Sequence, residues 1–189
     1  YHINADIAYA IRRHTNVQGD LDLMSDVGAE MLVETARLWE DLGFYGADGR
    51  FHIYGVTGPD EYTTVVNDNT YTNLMARLNL SYAASTVRTL REERPDAYIA
   101  LVHEVGLRPD EVESWERAAA AMHVPYDPER GIHPQDDTFL KREMWDLKNT
   151  PREKFPLLLH YHPLVIYRYQ VIKQADIVLA MFLLGNEFS

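Results

Sequence analysis

The stretch HIYGVTGPDEYTTVVNDNTYTN, residues 52–73, is the most informative part of this sequence. It begins with alternating residues typical of a strand, breaks at Gly58 and Pro59, and continues into an amphipathic helical pattern. Glycine permits unusual backbone dihedrals and proline holds φ at about −65°, so the backbone around the break has little freedom. The stretch therefore predicts a stiff turn that presents Asp60 and Glu61 just before a helix.

Glu61 is the leading candidate for chemistry in this turn. Cleavage of a glycosidic bond needs a carboxylic acid beside the leaving oxygen, and a loop above a pocket can supply one. Asp60 is not an obvious partner, since adjacent loop residues usually point apart, and a second carboxylate would come from elsewhere in the chain. The alternative is an ordinary polar turn, because Gly-Pro-Asp is common turn chemistry.

Upstream of the turn, helical periodicity predicts two helices. The first begins at Ile3, continues to about Arg13 and ends at Asn16 and Gly19. Asp20 is placed to cap the second helix. The apolar stripe of this second helix comprises Met24, Val27, Met31, Leu38 and Leu42, and it is stopped by Gly43 and Gly46.

Downstream of the turn, the pattern predicts three more helices and a long loop. One helix runs from Tyr71 to Leu90 and ends before Pro95, and two shorter helices begin near Pro95 and Pro109. Residues 123–137 are rich in proline and turn residues, so we expect a long loop that carries two short strands.

The last third of the chain is predicted to combine short helices with buried core. A short helix is expected around Phe139, Met144 and Trp145, and a final apolar helix over Ala175–Leu184, stopped by glycine. The apolar region 157–184 contains too many polar residues for a simple membrane span, so we interpret it as core.

Lys173 and Gln174 stand at the start of that final helix. Long polar side chains at the edge of an apolar segment can project into a cavity, which makes this pair a candidate for binding a polar ligand. The alternative is a helix cap and a lysine whose stem lies along the apolar surface.

The remaining polar and aromatic residues carry weaker signals. His160 and His162 have the spacing of one face of a strand, but no third metal ligand has a sensible spacing, so no metal site is predicted. The aspartates of the long loop lack calcium-loop spacing and are interpreted as solvated turn residues: Asp127, Asp136 and Asp137. Four tyrosines are compatible with carbohydrate binding: Tyr54, Tyr62, Tyr161 and Tyr167.

The composition indicates one globular, mostly helical domain over residues 1–189. Hydrophobic residues make up 46%, enough for a sizeable core, and the formal charge of −11 argues against nucleic-acid or anionic-membrane partners. The chain has no cysteine, which suits a reducing compartment, and no signal peptide precedes the first helical segment, so a cytoplasmic location is expected. Periodicity alone leaves a bundle, a solenoid and a helical toroid open.

Four segments carry a resemblance to a known family. They are HINADIAYA (2–10), GAEMLVETARLW (28–39), VTGPDEY with NTYTN (56–62 and 69–73), and VIKQADIVL (171–179). In this order across the chain, they resemble glycoside hydrolase family 65, which includes maltose, trehalose and kojibiose phosphorylases and some acid trehalases.

The resemblance implies a mostly α fold, a partial (α/α)6 toroid of the six-hairpin glycosidase type, with short β segments in its loops. The chain supplies about seven helices of such a ring. It therefore resembles a fragment of a larger catalytic domain, and the family's Trp-Asp pair for glucose and its phosphate-binding residues are expected outside residues 1–189.

The resemblance also implies the roles of individual residues. Glu61 matches the family's catalytic general acid, Lys173 and Gln174 match the pair that binds the glucosyl unit, and Asp60 and Tyr62 are expected to support the pocket. The implied reaction is inverting phosphorolysis of an α-linked glucose disaccharide to β-glucose 1-phosphate and glucose. One protein carboxylate is then enough, because phosphate replaces the water and base of an inverting hydrolase.

The expected partners are a disaccharide and inorganic phosphate as co-substrate, with no other cofactor, and a homodimer of the full-length parent is a further expectation. Two alternatives stay open: an α,α-trehalase-type hydrolase of the same family, and a noncatalytic helical scaffold or binding module. The isolated 189 residues are expected to be inactive, because parts of the sugar and phosphate sites lie elsewhere.

Overall fold

The computed structural model describes residues 1–19 and 21–188, and it is mostly helical, as the sequence predicts. Contacts within the chain group it into two compact units. The first comprises Tyr1–His52 and Asn73–His123, and the second comprises Ile53–Thr72 and Val124–Ser189. The single domain over 1–189 stays a prediction. Within the described ranges, no helix combines the length and apolar character that crossing a bilayer requires.

Long helices dominate the first unit. They are α1 (Ile3–Gln18), α2 (Ala29–Leu42), α3 (Thr70–Glu93, whose first residues belong to the second unit), α4 (Pro95–Val105) and α5 (Glu111–Ala121). The helix α1 continues past its predicted end to Gly19, which adopts φ 71° and closes it. The predicted cap Asp20 lies outside the described residues.

The segment before α2 departs from the prediction. Met24–Gly28 forms a π-helical turn instead of the first turns of one continuous α-helix. The predicted apolar stripe is wrong in most of its members: Met24 is buried, but Val27 and Met31 are exposed. The face that α2 buries instead contains Leu32 and Trp39, and the indole of Trp39 donates to Asn79 Oδ1 at 3.0 Å. Short strands β1 (Gly43–Tyr45) and β2 (Phe51–Ile53) follow and pair with each other.

Short elements make up the second unit. They are the helices α6 (Pro163–Ile166) and α7 (Asp176–Leu183), the strands β3 (Glu143–Met144) and β4 (Tyr169–Gln170), and 3-10 turns at Phe139–Lys141, Arg152–Lys154, Leu157–Leu159 and Gly185–Phe188. The predicted short helix around Phe139, Met144 and Trp145 is wrong beyond its first turn. Met144 pairs in parallel with Gln170, whose Nε2 donates to the carbonyl of Arg142 at 2.7 Å, so strand pairing overrides the helical pattern.

The long loop 123–137 lacks the two predicted strands and has a single bridge between Asp127 and Ile132. Asp127 accepts hydrogen bonds from the backbone and side chain of Arg130, which is turn chemistry. The interpretation of Asp136 as a solvated residue is wrong. Its side chain is buried, and both carboxylate oxygens contact Arg142 Nη2, at 2.9 and 3.0 Å.

The apolar region 157–184 is only partly buried. Leu157, Ile166 and Val171 form a core with Tyr62. In contrast, Phe182 on α7 is 83% exposed. The prediction of buried core therefore fails for one side of α7, because this short helix is apolar all round and only its Asp176 and Ala180 side chains are buried within this chain.

Val65 is in a strained conformation between the turn and α3. Its φ is 58°, in the left-handed region that β-branched residues avoid, and its side chain is 75% exposed. We expect Val65→Asn to raise the free energy of unfolding by roughly 1 kcal/mol, because asparagine tolerates this region and little packing is lost. Urea denaturation of the full-length protein measures the effect. Val178→Asn, at an exposed helical valine, is the control and should not stabilise; equal effects at both positions would contradict the assignment of strain.

Candidate active site

A closed loop carries the Gly-Pro-Asp-Glu-Tyr motif. Val56 and Val66 form an antiparallel bridge at its base, with backbone N–H to carbonyl distances of 3.0 and 2.8 Å. At the start of α3, Asn69 Oδ1 accepts from the N–H of Thr72 at 2.9 Å, so Asn69 caps the helix that follows the loop. The predicted turn before a helix is thus present and held at both ends.

Gly58 is required in this loop for space and not for its dihedrals. We predicted that Gly58 permits unusual dihedrals, but Gly58 is not among the residues with positive φ, and the glycine of this stretch that has one is Gly55, at 67°. A Cβ on Gly58 would lie 2.2 Å from Asp176 Oδ2 and 2.6 Å from Asn69 Oδ1. The loop therefore passes so close to two buried polar side chains that only glycine fits.

Asp60 is buried beneath the motif and joins it to the segment before α7. Its carboxylate accepts hydrogen bonds from the backbone N–H groups of Tyr62, Lys173 and Gln174, from Gln135 Nε2 and from Thr63 Oγ1. The bonds from Lys173 and Gln174 are 2.9 and 3.2 Å long. Every partner donates, so both carboxylate oxygens of Asp60 act as acceptors and hold the backbone of the two segments together.

Glu61 is exposed, unlike the buried Asp60, and it contacts Lys173. Lys173 Nζ lies 2.6 Å from Glu61 Oε2, and the two side chains are 42% and 60% exposed. The hydrogen bond to Glu61 is the largest cause that raises the pKa of Lys173 above its usual value. Two residues separated by 112 positions in the chain thus form one exposed acid–lysine pair above a buried anchor.

Lys173 and Gln174 lie in a bend that precedes α7, not in the helix itself, which begins at Asp176. The expectation that they start the final helix needs this correction. Backbone bonds to Asp60 hold the bend, and the side chains of both residues are exposed. The pair is therefore presented beside Glu61 on a fixed backbone.

Tyr62 supports the loop from below. It is 5% exposed, and its hydroxyl accepts from the backbone N–H of Leu157 at 2.9 Å. Because Tyr62 is buried, its ring cannot stack on a sugar, whereas the ring of Tyr54 is exposed. Tyr161 packs edge-on against Trp145.

Among the other predicted candidates, Tyr167 and His162 make local contacts. The hydroxyl of Tyr167 accepts a hydrogen bond from Thr64. His162 Nδ1 accepts from the N–H of Leu164 at 3.2 Å and caps α6. The backbone N–H of His160 donates to the carbonyl of Leu157 at 3.0 Å and closes the preceding 3-10 turn.

Gln135 is a site residue that sequence reasoning missed. It is 4% exposed, and its side chain bonds to Asp60 and to the backbone of Asp176. The only signal for it was the length of the loop 123–137, which indicated a role without naming a residue.

Burial is the largest cause that raises the pKa of Asp176, to about 7. The negative charges of Asp60 and Asp136 act in the same direction, and the hydrogen bond from Asn69 Nδ2, at 3.1 Å, opposes them. Asp176 thus keeps its proton to much higher pH than an aspartate in water.

This shift predicts how stability depends on pH. Between the usual pKa of 3.8 and about 7, the folded state holds a proton that the unfolded state has released. The free energy of unfolding therefore falls as pH rises through this window, by at most about 1.4 kcal/mol per pH unit. We expect Asp176→Asn to flatten this fall, measured by urea denaturation at about pH 5 and about pH 8.

The exposed Asp137 provides a matched control for that measurement. Asp137→Asn should leave the pH dependence of stability unchanged, because its carboxylate is not buried. An unaltered pH dependence in Asp176→Asn would contradict the assignment of the buried proton.

The geometry is compatible with one class of enzyme. One exposed carboxyl group beside a lysine, on a rigid loop of a mostly helical scaffold, fits enzymes that cleave glycosidic bonds with a protein acid. Comparison with known proteins then identifies the family. The model of the glycosyl hydrolase family 65 central catalytic domain matches residues 1–189, so the chain belongs to this family.

Individual relatives agree with this assignment. An alpha,alpha-trehalose phosphorylase of Geobacillus stearothermophilus is 54% identical over 99% of this chain, and one of Thermoanaerobacter brockii is 47% identical over 100%. The chain spans 24% and 25% of their lengths. The solved structure "Putative kojibiose phosphorylase from human microbiome" has a TM-score of 0.85 and 32% identity over 98% of this chain and 26% of its own. The helical fold with short strands is consistent with a partial (α/α)6 toroid.

Proposed function

We propose that the full-length protein catalyses inverting phosphorolysis of an α-linked glucose disaccharide to β-glucose 1-phosphate and glucose. The observation that carries this proposal is the 2.6 Å contact between Glu61 Oε2 and Lys173 Nζ. It unites the candidate acid with the candidate glucose-binding bend. The relatives that are named as phosphorylases support the reaction type.

In the proposed mechanism, Glu61 is the general acid. It gives its proton to the interglycosidic oxygen as the bond from that oxygen to the anomeric carbon breaks. A phosphate oxygen attacks the anomeric carbon from the opposite face, which inverts the configuration. The leaving sugar departs as a neutral alcohol, and the proton of the attacking phosphate restores Glu61 through solvent.

Lys173 and Gln174 bind the glucosyl unit in this proposal. Lys173 is a donor with three N–H groups on a flexible stem, and it contacts Glu61 in the structure. When the sugar binds, the ammonium group turns to the glucosyl hydroxyls. The Glu61 carboxyl group is then released from Lys173 and can contact the interglycosidic oxygen.

Phosphate is the only co-substrate in the proposal, and no metal or organic cofactor takes part. An ion such as phosphate supplies the nucleophile directly, so a second protein carboxylate is not required. The proposal also includes a cytoplasmic location, which the absence of cysteine supports, and a homodimer of the full-length protein, which light scattering tests.

We propose trehalose as the disaccharide, because the two relatives named as trehalose phosphorylases are 54% and 47% identical to this chain. The test incubates the full-length protein with trehalose, kojibiose or maltose, each with and without phosphate. We expect consumption of trehalose only when phosphate is present. Glucose release that ignores phosphate would instead establish the hydrolase alternative.

A further inference from the structure

A buried glutamine connects the segments that carry the proposed site. Gln135 Nε2 donates to Asp60 Oδ2 at 2.9 Å, and Gln135 Oε1 accepts from the N–H of Asp176 at 3.3 Å. Its backbone carbonyl accepts from Asn69 Nδ2 at 3.2 Å and from the N–H of Thr70 at 3.0 Å. One residue thus contacts the motif loop, the start of α3 and the start of α7, all within the second unit.

We propose that Gln135 is a positioning residue of this active site: its amide fixes the Asp60 carboxylate, which in turn holds the Lys173–Gln174 bend beside Glu61. This inference rests on the proposed function for its catalytic consequence. Gln135 itself does not touch the substrate, so its effect is transmitted through the backbone bonds that Asp60 accepts from Lys173 and Gln174.

An amide side chain suits position 135 because its nitrogen donates a hydrogen bond and its oxygen accepts one. The nitrogen must donate, since the Asp60 carboxylate only accepts, and the oxygen must accept, since the backbone of Asp176 donates. A carboxylate at position 135 keeps the second bond but places two acceptors opposite each other at Asp60. A protonated carboxylic acid at 135 restores the donor, so Gln135→Glu should behave like the wild type only at low pH.

The complementary change exchanges donor and acceptor. In Asp60→Asn with Gln135→Glu, the new amide nitrogen at 60 donates to the carboxylate at 135, and the amide oxygen still accepts from Lys173 and Gln174. The hydroxyl of Thr63 can turn and accept. The buried negative charge is kept and moves to its neighbour.

Kinetics of the full-length protein test this inference. We expect Gln135→Glu and Asp60→Asn each to lower kcat/KM by about 10²-fold at neutral pH, since small displacements of reacting groups cost this much. The loss in Gln135→Glu should shrink as pH falls. If the two effects were independent, the loss of kcat/KM in the double variant would be the two single losses multiplied together. We expect the kcat/KM of the double variant to be at least about 10-fold higher than that value, because the buried pair is again complementary. A double variant that shows simple additivity would overturn the inference.

Gln170→Glu is the matched control, because Gln170 is half-buried in the same unit and its Nε2 donates to the carbonyls of Leu140 and Arg142, away from the site. It should lower stability without the pH-dependent loss of turnover. If Gln170→Glu reproduces that loss, the effect is structural and the inference fails.

Amide hydrogen exchange gives a readout that is independent of activity. In Gln135→Glu at neutral pH, the amides of Lys173 and Gln174 should exchange faster than in Gln170→Glu, because their acceptor Asp60 is displaced. Unchanged exchange rates overturn the inference whatever the reaction is. Conversely, normal turnover by Glu61→Gln would refute the proposed function and leave the exchange result to decide the role of Gln135.

Discussion

Glu61→Gln lowers kcat/KM for the disaccharide by about 10²- to 10⁴-fold in our account, because the amide cannot give a proton to the leaving oxygen. The fold should tolerate this change, since the Glu61 side chain is 60% exposed and the new amide oxygen can still accept from Lys173. Steady-state kinetics with phosphate in excess measure the loss, and urea denaturation should give a midpoint near that of the wild type.

A substrate that needs no acid separates this role from simple disruption of the pocket. In α-glucosyl fluoride the leaving group is a fluoride ion, which departs without receiving a proton. Glu61→Gln should therefore turn over this substrate nearly as fast as the wild type. Glu129→Gln, at an exposed glutamate in the same unit, is the control and should be fully active on both substrates. Wild-type activity of Glu61→Gln on the disaccharide would remove Glu61 from the acid role.

Gly58→Ala is expected to damage both stability and turnover. The added Cβ would lie 2.2 Å from Asp176 Oδ2 and 2.7 Å from Asn69 Nδ2, and both side chains are buried and hydrogen-bonded. Neither can move without breaking that bond, so the free energy of unfolding should fall by about 2 to 3 kcal/mol. The displaced loop carries Glu61, and kcat/KM should fall by about 10²-fold in the protein that remains folded.

Gly185→Ala is the matched control for this steric argument. No atom lies within 4 Å of its added Cβ, and the residue is not among the glycines with positive φ. Its effect on stability should stay within about 0.5 kcal/mol. If Gly58→Ala is as well tolerated as Gly185→Ala, the close approach of the loop to Asp176 is not real.

The helices were predictable because their signals are local. Repeated apolar residues three and four apart marked α2 and α3, and Pro95 marked the start of α4. The strand β3 was not predictable in this way, because Met144 pairs with Gln170 from a distant part of the chain. Local periodicity carries no information about such a partner.

The residues of the candidate site were likewise only partly predictable from the sequence. Local composition did not decide whether Glu61 is a catalytic acid or part of an ordinary polar turn. Only the resemblance to the family linked Glu61 to Lys173 and Gln174. The resemblance did not reveal why Gly58 is glycine, since the reason is the position of Asp176 in space. Gln135 was equally hidden, because its side-chain partners Asp60 and Asp176 lie 75 and 41 residues away.

Identifying the sugar phosphate that forms first is the most direct test of the central claim. In real-time NMR of the full-length protein with trehalose and phosphate, we expect β-glucose 1-phosphate and glucose to appear together, and no reaction without phosphate. An inverted anomer shows that phosphate attacks the anomeric carbon on the face opposite the leaving sugar, as the proposed single displacement requires. The α anomer as first product, or glucose formed without phosphate, would contradict the account.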